Sequence, residues 1–217
     1  MQNLSTVQFA AIAILPLLFG ITLHEVAHGW IAKQLGDKTA LMMGRLTLNP
    51  LKHIDPLGTI IVPGLMMLAG GAIFGWAKPV PITWQNLKNP KRDMALVALA
   101  GPMANLGMAL CWALIARLGI LVNAVSPWAS VPMILMGKVG IVLNVVLMIL
   151  NLLPLPPLDG GRIMTSLLPG PMAYRFSRIE PYGFFILIAL LMSGLLWKLM
   201  GPPVSLLENL FSLVAGI

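Results

Sequence analysis

Long apolar runs, separated by short polar and basic stretches, dominate this chain. The first extends from about Leu4 to Trp30. A second, Pro56 to Ala77, is interrupted by Pro63 and by Gly64, Gly70, Gly71 and Gly75. A third runs from Met94 to Ala116, a fourth from Val139 to Leu158 into a proline-rich turn, and a fifth from Pro181 to Trp197. Each is long enough to cross a hydrocarbon layer of about 30 Å as a helix. The tail from Val204 to Ile217 is apolar but short and carries Glu208, so it reads as an interfacial segment or a sixth crossing. The expected fold is an all-α polytopic membrane protein, one domain over residues 1–217 with about five or six membrane segments. The glycines and prolines of the second run suit a re-entrant or hairpin region.

Composition agrees. Hydrophobic residues make up 58% of the 217 positions, charged residues 10%, and the mean hydropathy is +0.89, whereas a soluble domain carries about 25% charged residues. The formal charge of +7 comes from Lys and Arg at the ends of the apolar runs, a pattern of anchoring at anionic headgroups rather than nucleic-acid binding. The single cysteine, Cys111, excludes an intramolecular disulfide and a multi-cysteine metal cluster. Residues 1–23 carry no charged side chain, so the basic start of a signal peptide is missing and the first run is expected to remain as a helix.

Basic residues also set an expected topology. Lys33, Lys38, Arg45 and Lys52 follow the first run, and Lys78, Lys88, Lys91 and Arg92 follow the second. Both loops are cytoplasmic only if the second run dips in and returns. The N-terminus is then outside the cell membrane, and the fourth run descends in the same direction as the first.

The first run holds His24-Glu25-Val26-Ala27-His28. Residues i and i+4 share a helix face, so His24 and His28 can offer two imidazoles to one zinc ion, with Glu25 angled toward a water as general base. The pentapeptide alone is a weak signal; an intramembrane Glu between two His is costly in hydrocarbon and marks a functional site. A zinc hydrolase uses three protein ligands, here the pair plus His53 or a carboxylate. Asp159, behind the turn that ends the fourth run and followed by Gly160 and Gly161, is the better candidate, although the same residue could cap the next helix. It reaches the depth of the histidines only if the first and fourth runs point the same way, which the basic loops also require.

These residues resemble the site-2 protease family of intramembrane zinc metalloproteases. The resemblance rests on His24-Glu25-Val26-Ala27-His28, on Gly101-Pro102-Met103-Ala104-Asn105, and on Asn151 with Leu158-Asp159-Gly160. It implies one Zn²⁺ held by His24, His28 and Asp159, Glu25 as the catalytic residue, and Asn151 near the substrate carbonyl or oxyanion. It also implies a small core-only member, without PDZ or CBS domains. By the same resemblance, either Gly44-Arg45-Leu46-Thr47-Leu48 or the proline-rich Phe74 to Ile82 is a short β element that pairs with unwound substrate. Asn105 stands either in an interhelical hydrogen bond or beside the catalytic water, and His53 is not made a ligand.

The implied activity is hydrolysis of peptide bonds in or near transmembrane segments, with the active site toward the cytoplasm. Implied partners are a membrane-protein substrate and the lipid bilayer, with oligomerisation left open and no nucleic acid. The rival of a different class is a catalytically silent membrane metal binder or transporter using the same His/Asp site. Transporters show repeated sets of membrane segments, which the sequence lacks, and Glu25 would then have no task.

Overall fold

The computed structural model describes residues 5–68 and 75–217. Along these the order is α1 (Thr6–Gln34), α2 (Thr39–Met42), α3 (Val62–Leu68), α4 (Pro90–Val122), α5 (Pro127–Asn151), α6 (Asp159–Leu167), α7 (Gly170–Ser177), α8 (Glu180–Met192) and α9 (Leu195–Ala215). Ser5 starts α1 through a capping box, its hydroxyl accepting from the Gln8 amide while the Gln8 side chain accepts from the Ser5 amide.

Among the described residues three helices, α1, α4 and α5, are long and apolar enough to cross a membrane. At 1.5 Å per residue they measure about 43, 50 and 37 Å, more than the hydrocarbon thickness. Their outward side chains, Phe19, Leu110, Leu114 and Leu118 among them, are large, apolar and exposed, as a lipid-facing surface requires. The chain is a multi-pass membrane protein of the helical class.

The contacts fix how these helices run. His28 of α1 reaches Val97 of α4, His24 reaches Asn105, and Gly20 accepts from Asn105. Rising numbers in α1 meet falling numbers in α4, so the two are antiparallel. Asn105 also meets Asn144 of α5, and Gly119 faces Met133 and Ile134, so α4 and α5 are antiparallel as well. Helices α1 and α5 therefore point the same way, and whatever follows α5 emerges beside the C-terminal half of α1. Around this triplet α6 packs on α4, and α9 packs on α4 and α5. The apolar core is formed by Trp112, Ile141, Val145, Leu196, Met200 and their neighbours.

Two expectations need correction. Among the described residues three helices are long and apolar enough to cross, or four if α8 and α9 are one broken span, against the expected five or six segments, of which the second lies partly outside the described residues. Helix α8 alone is about 20 Å long, and the chain turns by 80° into α9 at Gly194, whose φ of +71° favours glycine. The second correction concerns the short β elements: no strand occurs among the described residues. Residues 75–83 are irregular, and Pro79 and Pro81 supply no N–H for a ladder. Their backbone groups bond elsewhere: Trp76 N–H to the Gly58 carbonyl, Lys78 N–H to the His53 carbonyl, and the Lys78 carbonyl to Arg45. Gly44–Leu48 likewise forms no strand. The proposed hairpin at Pro56–Ala77 begins as a wide turn over Pro56–Ile61 and continues into α3. Its portion at 69–74, with Phe74, lies outside the described residues.

The polar end is tied by Asp37, which is 1% exposed. Its carboxylate accepts from the Thr39 N–H and hydroxyl, the Thr83 N–H and the Asn86 amide, joining the end of α1 to the segment before α4. Burial favours the neutral acid, but the bonds from Thr39, Thr83 and Asn86 outweigh it and hold the Asp37 pKa below the ordinary aspartate value. A depressed folded-state pKa stabilises above the unfolded value and is lost as the pH falls through the folded one. Thermal unfolding in detergent should therefore show wild-type stability declining below about pH 4. The Asp37→Asn protein should be less stable near neutrality, by about 1–3 kcal/mol, and flatter across that acid range.

Candidate metal centre

One turn of α1 separates His24 from His28, and both are buried. Asp159 arrives at the first position of α6, after residues 152–158 fold back beneath the end of α5. A Cβ at Gly160 would strike the carbonyls of Leu152 and Leu153, so this tight return requires glycine. Asp159 Oδ2 then lies 3.2 Å from His24 Nε2 and 3.3 Å from His28 Nε2, and the two Nε2 atoms are 3.0 Å apart.

The proton inventory of this triangle follows from its surroundings. Asn105 Nδ2 donates to the Gly20 carbonyl (3.2 Å) and to Asn144 Oδ1 (3.0 Å), which turns its Oδ1 toward His24 Nδ1 at 2.6 Å. That oxygen only accepts, so His24 Nδ1 carries the hydrogen. His28 Nδ1 faces the Val97 carbonyl at 2.7 Å and must also donate. In the neutral imidazoles both Nε2 atoms are then bare lone pairs. They converge on Asp159 Oδ2, a buried oxygen with no hydrogen-bond partner.

Three electron-rich atoms facing one another without a proton are mutually repulsive unless a cation lies between them. The donor set of two imidazoles and a carboxylate suits zinc, and the observed edges match the roughly 3.3 Å separation of ligands about 2.0–2.1 Å from a tetrahedral ion. Among the described residues this is the group of His, Cys, Asp and Glu able to hold a metal. The bonds from Nδ1 to Asn105 and Val97 are of the kind that orients histidines where they hold a metal.

Glu25 is half-buried, and its Oε2 accepts from the Val80 N–H at 2.7 Å. Asn151 stands at the end of α5 with its Nδ2 on the Leu147 carbonyl, 3.0 Å away, inside its own helix. His53 is buried, bonds the Thr47 carbonyl at 2.9 Å and lies outside the triangle. A cleft of about 1020 Å³ is lined by residues 79–82, Trp84, the start of α4, the turn at Pro156 and Pro157, and residues of α6 to α8; Val80 on its wall is the partner of Glu25, and Gly161 lies two residues past Asp159.

The comparisons with known proteins bear on the family. Residues 117–194, which include Asp159, match peptidase family M50. The protein named "Putative zinc metalloprotease YwhC" of Bacillus subtilis (strain 168) is 36% identical over 213 residues, covering 93% of this chain and 91% of that protein. The chain belongs to peptidase family M50, the site-2 protease family. "Putative zinc metalloprotease Rip2" of Mycolicibacterium smegmatis (strain ATCC 700084 / mc(2)155) is 32% identical over 193 residues, 88% of this chain and 71% of that protein. No solved structure matches the chain significantly. Membership makes this M50 protein a zinc metalloprotease by family.

Sequence reasoning missed three participants. The Val97 carbonyl and the Val80 N–H are backbone groups without any side-chain signature. Asn144, fully buried in the structure, had a signal: it is an amide in the otherwise apolar run from Gly140 to Leu150, where polar groups are rare and purposeful. Gly101, by contrast, stood in a recognised motif, and the structure supplies its reason. A Cβ there would collide with His28 Nε2 and lie 2.6 Å from His24 Nε2 and Cε1. Gly101→Ala should therefore lower zinc content several-fold in the purified protein while leaving helix content unchanged. Elemental analysis with circular dichroism checks this.

Proposed function

We propose that this M50 protein is an intramembrane zinc protease that cleaves peptide bonds in or near transmembrane segments. The observation that carries the reading is the convergence of the two bare Nε2 atoms and the Asp159 carboxylate, next to Glu25 and beside a cleft large enough for a peptide. His24, His28 and Asp159 would hold one zinc ion per chain. When bound, the ion supplies Lewis acidity and lowers the pKa of water.

The chain's own groups have these roles. Asn105 and the Val97 carbonyl keep the imidazole hydrogens on Nδ1, so that the Nε2 atoms stay available. Glu25 uses one carboxylate oxygen on the Val80 amide and keeps the other to take a proton from the attacking water and deliver it to the leaving amine. Asn151 donates its amide to the developing oxyanion once it exchanges the Leu147 carbonyl for substrate. The cleft holds the unwound segment of a membrane-protein substrate, with residues 79–82 as one wall. The basic residues Lys33, Lys38 and Lys52, which follow α1, support a cytoplasmic-facing site in a cell membrane.

A fluorogenic transmembrane peptide in proteoliposomes tests the reading. Glu25→Gln should retain zinc and lose cleavage by at least a hundred-fold; cleavage at the wild-type rate would sink the hydrolytic mechanism and favour a metal-binding role. His24→Ala, His28→Ala and Asp159→Ala should each lose zinc and activity together. Asn151→Ala should keep zinc and lose about ten- to a thousand-fold in kcat.

A further inference from the structure

Arg45 is 9% exposed, yet no carboxylate lies within 4 Å of it among the described residues. Its guanidinium Nη2 donates to the Lys78 carbonyl at 2.9 Å and to the Pro79 carbonyl at 3.4 Å, while Nε is buried without a partner. Burying an unpaired cation is expensive. A neutral donor would satisfy two carbonyls at lower cost, so the charge itself needs an explanation.

The explanation lies one bond further on. The Pro79 carbonyl belongs to the peptide group whose N–H is that of Val80, and this N–H donates to Glu25 Oε2 at 2.7 Å. Arg45 and Glu25 therefore hold opposite ends of a single peptide unit, cation at the carbonyl and anion at the amide. Hydrogen bonds in such a chain polarise one another, and they do so most strongly where water is scarce. The local sequence leaves no substitute: Pro79 and Pro81 have no N–H, so Val80 is the one donor in the triplet. Gly29 of α1 allows this strap to lie close, because a Cβ there would sit 2.9 Å from Val80 Cγ1.

We propose that Arg45 is a positioning residue that acts through the Pro79–Val80 peptide to fix the Glu25 carboxylate for catalysis. This role rests on the hydrolytic reading above. It separates Arg45 from the other loop cations, whose charges follow the basic pattern of the membrane surface.

The test compares kcat, KM and zinc content of the full chain in proteoliposomes for wild type, Arg45→Gln, Arg45→Lys, Val80→Pro, the Arg45→Gln/Val80→Pro double variant and Glu25→Gln. Val80→Pro deletes the N–H and sets the ring Cδ where the hydrogen faced Glu25, so its loss counts for the role only together with that of Arg45→Gln, which leaves the Val80 N–H in place. Arg45→Gln and Val80→Pro are each expected to lose about ten-fold or more in kcat, with KM within about two-fold and zinc retained. Arg45→Lys, which keeps the charge and a donor, recovers part of the loss. The double variant is no worse than the poorer single one, because both changes break the same chain.

Wild-type kcat in Arg45→Gln or in Val80→Pro overturns the role, as do losses that multiply in the double variant. Loss of zinc or of folding in both Arg45 variants also overturns it, in favour of a structural cation. Cleavage by Glu25→Gln sinks the hydrolytic reading itself, whatever the Arg45 variants do, so the two failures are distinguishable.

Discussion

The site depends on keeping two protons off one small triangle. His24 Nε2, His28 Nε2 and Asp159 Oδ2 approach within 3.0–3.3 Å of one another, and in the neutral imidazoles both Nε2 atoms are bare because Asn105 and the Val97 carbonyl take the ring hydrogens at the far nitrogens. If either acceptor were lost, a tautomer would move a hydrogen into the triangle and spoil a cation site. Much of the bundle serves this condition. Asn105 is fixed by Gly20 on one side and Asn144 on the other, so one amide ties α1, α4 and α5 at the depth of the histidines. Gly101 leaves room for both rings.

Within a membrane such a network has little freedom. An unsatisfied polar group in hydrocarbon costs several kcal/mol, so every member must find its partner inside the protein. Asn144 passes its own amide to the Gly140 carbonyl, and the chain of bonds ends there in helix backbone. The same economy governs the irregular strap before α4. Its carbonyls and amides go to Arg45, His53, Gly58 and Glu25 rather than to a neighbouring strand, which is why the sequence looked extended and yet forms no sheet. Extended composition identifies a backbone that cannot be helical; it does not say what will take its hydrogen bonds.

Local pattern made the helices at α1, α4 and α5 legible, since an apolar run of sufficient length has one stable form in lipid. The end of α5 was harder to place, because the apolar stretch continues through Leu152, Leu153 and Leu155 beyond the last helical turn. The break between α8 and α9 was also hidden: Gly194 lies in a run whose hydropathy carries on past it, and only the 80° bend reveals the stop. Asn151 was named for a donor's role, and its amide is bonded to the Leu147 carbonyl; the residue was visible, its partner was not.

The sequence by itself determined the solvent and the family: apolar runs dictate a helical membrane protein, and three short motifs in order mark an M50 peptidase. It also determined that His24 and His28 share a face, because helical periodicity is a local property. The tertiary structure decided what no local rule reaches. It brought Asp159 to the histidines by running α5 alongside α1, chose the imidazole tautomers through Asn105 and a backbone carbonyl, and joined Arg45 to Glu25 through one peptide. These are long-range contacts between groups whose partners, often main-chain atoms, leave no trace in residue identity.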